Sequence, residues 1–182
     1  MGRDALFNLL AAHKLLIRRR KRNTPITTFS DHWMHKYPNL IIGFEPDGPH
    51  QLLVSDITYL RLKEGSFAYM SLITDAYSRK ITGHHLDKTL CATGCIKALK
   101  MAIKQLPKGK TPIHHSDRGS QYCSFDYVNI LLKNNLSISM TQSGNPRENA
   151  IAERINGVLK TELLKEVFDS YHHAKEAVRG HL

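Results

Sequence analysis

Cysteine is scarce in this sequence of 182 residues, which contains only Cys91, Cys95 and Cys123. An odd number without a Cys-x-x-Cys pair argues against a disulfide framework and against a zinc ribbon. Long apolar runs are also missing, since none approaches the roughly 18 residues of a membrane-spanning helix. The N-terminus lacks the apolar core of a signal peptide. We therefore expect a soluble, intracellular protein that does not contact a membrane.

Acidic residues are the minority charge. The sequence has 16 Asp and Glu against 26 Lys and Arg, which gives a formal net charge of +10. This excess favours a polyanionic partner, and nucleic acid is the first candidate. Residues 14–22 hold six basic residues and no acidic one. The segment is either a solvated linker or an arm that contacts DNA phosphates through Arg18, Arg19, Arg20, Lys21 and Arg22.

The first fifty residues show little regular pattern after an initial helix. Leucine spacing predicts that helix over residues 4–17. Residues 23–50 are rich in Thr, Pro, His and Gly, which predicts an irregular connector, and we expect Trp33 and Tyr37 to pin it to the core. His32 and His35 lack the partner ligands of a zinc finger, so we interpret them as surface or packing histidines.

From residue 51 the pattern changes to short β-branched and apolar segments separated by amphipathic ones. The order is three strands, a helix, a strand, a helix, a strand and a final helix, which predicts an α/β fold with a mixed five-stranded sheet of ribonuclease H-like arrangement. The strands are predicted at 51–60, 67–77, 79–87, 111–115 and 136–140, and the helices at 90–105, 125–134 and 147–168.

Three acidic residues stand where acids are unusual or where chemistry is common. Asp56 interrupts an apolar strand, although aspartate is disfavoured in strands, and a buried carboxylate needs a compensating cation. Asp117 follows the end of another strand, a usual location for reacting groups. Glu153 falls in the first turns of the last helix, with 35 residues between it and Asp117. Taken singly, each acid is better explained structurally, Asp56 and Asp117 as turn caps and Glu153 as a solvated helix residue.

Several motifs in fixed order carry a more specific signal. They are SDITYL (55–60), LITDAYSRKITGHH (72–85), HHSDRGSQY (114–122) and SMTQSGNPRENAIAERINGVLKTE (139–162). With the 35-residue gap, they resemble the DDE transposase and retroviral integrase superfamily, in particular the IS-three family of bacterial insertion-sequence transposases. A ribonuclease H-type nuclease shares the sheet and the carboxylates but not these motifs.

The resemblance implies a metal-dependent DNA transposase in which Asp56, Asp117 and Glu153 are the catalytic metal ligands. Carboxylate oxygens select hard cations, so Mg²⁺ or Mn²⁺ is expected, with two ions on either side of an in-line phosphoryl transfer. The expected partners are DNA, at the element ends and the target, and further copies of the chain assembled on that DNA. The expected location is the bacterial cytoplasm, in association with the nucleoid.

Residues near the three acids are candidates for DNA contacts. Asn156, Gly157 and Lys160 share a helical face with Glu153, so Lys160 is expected to reach a phosphate. Arg118, Gln121, Asn145 and Asn149 are further DNA-binding candidates, or residues that only organise their loops. Of His114 and His115, one should point towards the site and the other into packing, while Asp75 is expected to be a structural turn acid.

The domain organisation that follows has three parts. Residues 1–22 are expected to be the remnant of a helix-turn-helix region with its basic arm, 23–50 the connector, and 51–182 an integrase-type catalytic core. The resemblance implies further sequence at both ends, so we expect a truncated copy. The alternative to an active transposase is therefore a catalytically inactive fragment that binds DNA or regulates the full-length protein.

Overall fold

A mixed β-sheet forms the centre of the chain. The computed structural model describes residues 2–13, 30–142, 149–164 and 167–182. Three antiparallel strands are followed by two strands parallel to the first, and the spatial order is β3-β2-β1-β4-β5. This confirms the predicted fold class. The strands are β1 (Leu52–Leu62), β2 (Phe67–Asp75), β3 (Ile81–Asp87), β4 (Ile113–Ser116) and β5 (Ser137–Met140).

Helices cover both faces of the sheet. Ahead of it lies α1 (Arg3–Ala12), none of whose residues is buried. The others are α2 (Ala92–Gln105), α3 (Ser120–Cys123), α4 (Phe125–Lys133), α5 (Ala150–Val158), which continues into a π-helical turn at Leu159–Leu163, and α6 (Tyr171–His181). No helix in the described ranges is long and apolar enough to span a membrane.

The helix α2 lies very close to one face of the sheet. Its residues Ala98 and Leu99 are fully buried and share a core cluster with Leu53 and Ile57 of β1. A Cβ placed on Gly83 of β3 would come within 2.2 Å of the carbonyl oxygen of Ala98, closer than any side chain can approach. Glycine and alanine are therefore required here, because they allow the helix backbone to contact the strand directly.

The helix α5 packs on the opposite face. Side chains alternate along a strand, so Leu52 and Val54 point away from the face that α2 covers. Both cluster with Ala152 of α5. Further along β1, Leu60 packs with Leu159 of the π-helical turn. Asp56 belongs to this second series and therefore faces α5.

The helix predicted for the C-terminal part of the chain is wrong in its extent. The helix predicted over 147–168 is described from Ala150 and ends at Leu163, and Val167–Phe168 is extended instead. This sixth strand, β6, runs parallel to β1 beside Arg61 and Leu62, because pairing with the central strand outweighs the helical pattern. The sequence interpretation also did not predict α3 and α6.

The connector is only partly as expected. Tyr37 packs against the main core, but the side chain of Trp33 is 94% exposed, so the prediction that it pins the connector to the core is wrong. Backbone contacts hold the connector instead: the Met140 amide donates to the Pro38 carbonyl at 3.2 Å, and the Leu40 amide donates to Ser139 Oγ at 2.9 Å. The basic run Arg18 to Arg22 lies outside the described residues.

Candidate active site

Two of the three candidate acids lie on neighbouring parallel strands. The last paired residues of β1 and β4 are Val54 and His115. Two positions beyond them are Asp56, which still lies within β1, and Asp117, which directly follows the end of β4. Both acids therefore lie where the two strands separate, and the charge of Asp117 affects the pKa of Asp56. The backbone carbonyl of Ser55 in this gap accepts a hydrogen bond from Asn149 Nδ2 at 3.1 Å.

Asp56 is partly buried and has few groups to stabilise its charge. Its Oδ1 accepts from the Ile57 backbone amide at 2.8 Å, and its Oδ2 accepts from Asn156 Nδ2 at 2.5 Å. Burial and the neighbouring charge of Asp117 raise the pKa of Asp56 to about 7, and the charge of Glu153 adds to this. The two hydrogen bonds favour the ionised form but do not outweigh those effects.

Asp117 occupies the turn between β4 and α3. Its Oδ1 accepts from the Gly119 backbone amide at 2.9 Å. A Cβ on Gly119 would lie 3.0 Å from both Asp117 Oδ1 and Gln121 Oε1, so glycine leaves room for this turn. The carbonyl of Arg118 accepts from His32 Nε2 at 2.9 Å, which ties the connector to the same turn.

Glu153 is the most exposed of the three acids. It stands in the first turn of α5, and partial desolvation raises its pKa above the ordinary value. Its charge contributes to the raised pKa of Asp56, so α5 brings Glu153 near that acid. The role of the three acids as one catalytic set stays a prediction.

The predicted DNA contacts have different surroundings. Lys160 is partly buried, and its Nζ lies 3.8 Å from the ring centroid of Tyr59. Gln121 is buried, and its amide donates to the Leu90 carbonyl at 3.0 Å. Asn149 is also buried. Gln121 and Asn149 thus hold local structure together, and their contact with DNA stays a prediction. Asn145 lies outside the described residues.

Asn156 is the neighbour whose importance the sequence did not reveal. Its place on the Glu153 face was visible from the helical spacing, but its hydrogen bond to Asp56 depends on how α5 packs on β1. The Oδ1 atoms of Asn156 and Asn149 are buried without a hydrogen-bond partner among the described residues. Unpaired buried oxygens are uncommon in proteins and mark this as a polar, incompletely satisfied region.

The two histidines before Asp117 are both buried. His114 Nε2 lies 2.7 Å from Ser55 Oγ and 2.9 Å from the Tyr127 hydroxyl, and burial lowers the pKa of His114 to about 3. His115 Nδ1 lies 2.9 Å from Ser139 Oγ. Since His114 packs among core side chains and stays neutral, it is suited to a structural role rather than to proton transfer.

Oxygen ligands dominate this region, which is the donor chemistry that hard divalent cations prefer. Burial, and after it the charges of Asp117 and Glu153, raise the pKa of Asp56, and a bound cation would stabilise the ionised carboxylate. Within the described ranges, however, no three His, Cys, Asp or Glu side chains already converge on one possible metal position. The residue types fit a metal, and binding would require side-chain adjustment, since Asp56 Oδ2 is engaged by Asn156.

Comparison with known families agrees with this architecture. The model of the integrase core domain family matches residues 46–146, and a second model with the same description matches residues 134–180. The chain therefore belongs to the integrase core domain family, and the resemblance drawn from its motifs is confirmed.

The relatives come from bacterial insertion sequences. Over its full length the chain is 35% identical to the uncharacterized 31 kDa protein of insertion element IS600 from Shigella sonnei, and it covers 67% of that protein. Over 67% of its length it is 39% identical to a putative transposase for IS986/IS6110 from Mycobacterium tuberculosis, of which it covers 45%. The chain thus spans less than half of the latter protein.

The fold is also found among solved structures. The catalytic domain of Mos1 transposase, solved with raltegravir and Mg, superposes with a TM-score of 0.60 over 72% of this chain and 70% of that one. The sequence identity is 15%, so this likeness concerns the fold alone.

Proposed function

We propose that the chain carries the catalytic core of an insertion-sequence transposase, which cleaves DNA at the element ends and transfers the strands to a target. Asp56, Asp117 and Glu153 would act together in this reaction. The observation that supports it most is the raised pKa of Asp56, which burial and the charge of Asp117 cause at the point where β4 ends and separates from β1. Proteins retain such unfavourable charge crowding chiefly at functional sites.

The three carboxylates would hold Mg²⁺ or Mn²⁺, most simply as two ions. Bound there, the ions would supply Lewis-acid activation of the attacking hydroxyl and stabilisation of the leaving oxygen. The contribution of the chain itself is positional. Asn149 fastens the start of α5 to the Ser55 carbonyl, and Asn156 orients Asp56, so the helix that carries Glu153 is attached to two consecutive residues of β1.

DNA contacts belong to the same proposal. Lys160 follows Glu153 by two helical turns and is held over Tyr59, a position from which its ammonium group would meet a phosphate near the carboxylates. Arg118, directly after Asp117, is the second candidate for such a contact. The proposed activity would bring the chain to nucleoid DNA in a bacterial cell, and assembly of several copies on that DNA is part of the proposal.

The test is a strand-transfer assay. Purified chain is incubated with Mn²⁺ and duplexes that carry the terminal sequences found beside its reading frame, and 3′-end cleavage and joining are measured. Asp117→Asn should lower the rate on the order of 1000-fold, which corresponds to about 4 kcal/mol of activation free energy. Asp126→Asn is the matched control, because Asp126 is exposed on α4 and should retain the activity.

Equal product from the native chain and Asp117→Asn would overturn the catalytic proposal. If both bound the duplex without cleaving it, the behaviour would be that of a DNA-binding fragment without catalysis.

A further inference from the structure

The outward face of α2 carries charge of a single sign. Between Asp87 and Asp117 the sequence contains no acidic residue, and five lysines follow one another along α2 and the turn after it. We name these residues the lysine ridge: Lys97, Lys100, Lys104, Lys108 and Lys110. All five are exposed.

The packing of α2 fixes the direction of the ridge. Cys95, Ala98, Leu99 and Ala102 are buried against the sheet. Lys97, Lys100 and Lys104, spaced by three and four residues, therefore form one stripe on the opposite side of the helix. The turn that Gly109 makes with a φ of +81° continues the ridge to Lys110.

Most of the ridge is not neutralised by the chain. Lys97 Nζ lies 4.0 Å from Asp87 Oδ2 and 3.4 Å from His85 Nε2. For the other four lysines the structure records no ion pair within the described ranges. Like charges at positions i and i+4, such as Lys100 and Lys104, repel each other and weaken a helix. An ordinary solvated helix surface usually mixes both signs, so this repulsion needs another explanation.

The spacing of the ridge suits a phosphate backbone. From Lys97 to Lys104 the helix axis advances about 10 Å, and one strand of a DNA duplex presents about three phosphates over that length. The ridge also lies on the face of the sheet opposite to α5, which carries Glu153 and leads to Lys160. A duplex held by the ridge is therefore not the one at the carboxylates of the same molecule.

We propose that the lysine ridge binds the phosphate backbone of double-stranded DNA without reading its sequence, as a second DNA surface apart from the carboxylates. The inference rests on the proposed function, because it assumes that the chain handles DNA. A protein partner fits less well: protein interfaces favour aromatic side chains at their centre and are depleted in lysine, and the ridge offers only lysine ends.

A matched pair of charge reversals tests the proposal. Lys104 and Lys133 both stand in the last turn of a helix, α2 and α4, and both are exposed. Lys104→Glu and Lys133→Glu therefore change the net charge and the interaction with the helix dipole alike. Binding of the full chain to a 30-base-pair duplex of random sequence (a length of about 100 Å) is measured by fluorescence anisotropy in EDTA, so that no metal site contributes.

We expect Lys104→Glu to weaken binding about tenfold more than Lys133→Glu at low salt. The milder double variant Lys100→Gln/Lys104→Gln should reduce the slope of log affinity against log salt by about 1.8, while Lys133→Gln leaves it unchanged. The loss should be the same for a random duplex and for one that carries the element end. Thermal unfolding of each variant verifies that the fold is intact.

Equal binding by the Lys104 and Lys133 variants would overturn the proposal, and so would a loss confined to one DNA sequence. The strand-transfer assay is scored separately. A chain that cannot join DNA but loses duplex binding on substitution of the ridge would contradict the proposed catalysis and support the ridge. A chain that joins DNA but binds the duplex equally well after substitution of the ridge would support the proposed catalysis and contradict the ridge.

Discussion

Asp56 and Asp75 lie on the same antiparallel pair of strands but have opposite surroundings. Asp75 faces Leu53 across the ladder, and Asp56 faces Leu72. Asp75 is buried, but it accepts hydrogen bonds from the backbone amides of His50, Tyr77 and Ser78 and from the Ser78 hydroxyl. Although burial acts to raise it, the bonds from Ser78 and His50 hold the pKa of Asp75 below its ordinary value.

The pKa of Asp56 moves the other way because burial and two neighbouring acids outweigh its two hydrogen-bond donors. The difference teaches how to separate a structural acid from a candidate functional one in the same sheet. A carboxylate whose oxygens accept hydrogen bonds from the chain needs no external partner. A carboxylate whose pKa is raised by burial and by like charge would be stabilised by a cation. Low solvent exposure alone does not make this distinction, since Asp75 is the less exposed of the two residues.

Of the substitutions that test this difference, we expect the largest loss of stability at Asp75. Asp75→Ala leaves four donors without their acceptor: the Tyr77 and Ser78 amides and the Ser78 hydroxyl in the turn after β2, and the His50 amide ahead of β1. We expect the free energy of unfolding to fall by about 3 kcal/mol, as measured by urea denaturation in EDTA at pH 8. The exposed control Asp126→Ala should lose less than about 1 kcal/mol. A loss at Asp75 no larger than the control would mean that its hydrogen bonds do not stabilise the fold.

Asp56→Asn should instead raise the free energy of unfolding of the metal-free protein. The pKa of Asp56 in the folded chain is about 7, above its ordinary value of 3.8, so the folded chain binds the proton more tightly than the unfolded chain. Stability from this residue is present at low pH and is lost as the pH rises through about 7. At pH 8 the free energy of unfolding of the variant should exceed that of the native chain by about 2 kcal/mol, after allowance for solvent screening.

The same measurement with Mg²⁺ sharpens the result. Mg²⁺ should restore stability to the native chain at pH 8 and have little effect on Asp56→Asn, because a bound cation stabilises only the folded form that holds it. A stability difference between the two proteins that does not grow from pH 4 to pH 8 would contradict the charge crowding at Asp56.

Much of the fold follows from local pattern. The alternation around Asp56 and the apolar face of α2 predict their elements because the same side chains form the core. The end of the helix predicted over 147–168 could not be predicted in this way. Val167 and Phe168 continue an apolar helical pattern, and only their position beside Arg61 and Leu62 makes them a strand. Nothing in the local sequence shows that Trp33 remains uncovered.

The candidate site also has a part that the sequence predicts and a part that it does not. The motifs and strand ends indicate Asp56, Asp117 and Glu153, because acids in such places are conspicuous in the sequence. The contacts that position them are not conspicuous. Asn149 and Asn156 are ordinary helix-terminal and helix-surface residues in the sequence, and their bonds to Ser55 and Asp56 exist only because α5 packs on β1 in one register. Long-range side-chain contacts of this kind require the tertiary structure.

These two asparagines allow the smallest and most specific test. Both donate to β1, but only Asn156 donates to the Asp56 carboxylate, where it lowers the pKa. Asn156→Ala and Asn149→Ala should each cost about 1 kcal/mol of stability. Only Asn156→Ala should raise the pKa of Asp56 further, which moves the pH-dependent loss of stability, and the rise of strand-transfer rate with pH, to higher pH.

Carbon-13 NMR titration of the Asp56 carboxyl in EDTA measures this shift directly. In Asn149→Ala the titration midpoint should stay where it is in the native chain, because the Asn149 amide contacts a backbone carbonyl and not the acid. Midpoints that stay at the native value in both variants would show that the Asn156 amide does not tune Asp56. Equal displacement in both would assign the effect to the seating of α5 instead, because loosening the helix changes the burial of Asp56 whichever anchor is removed.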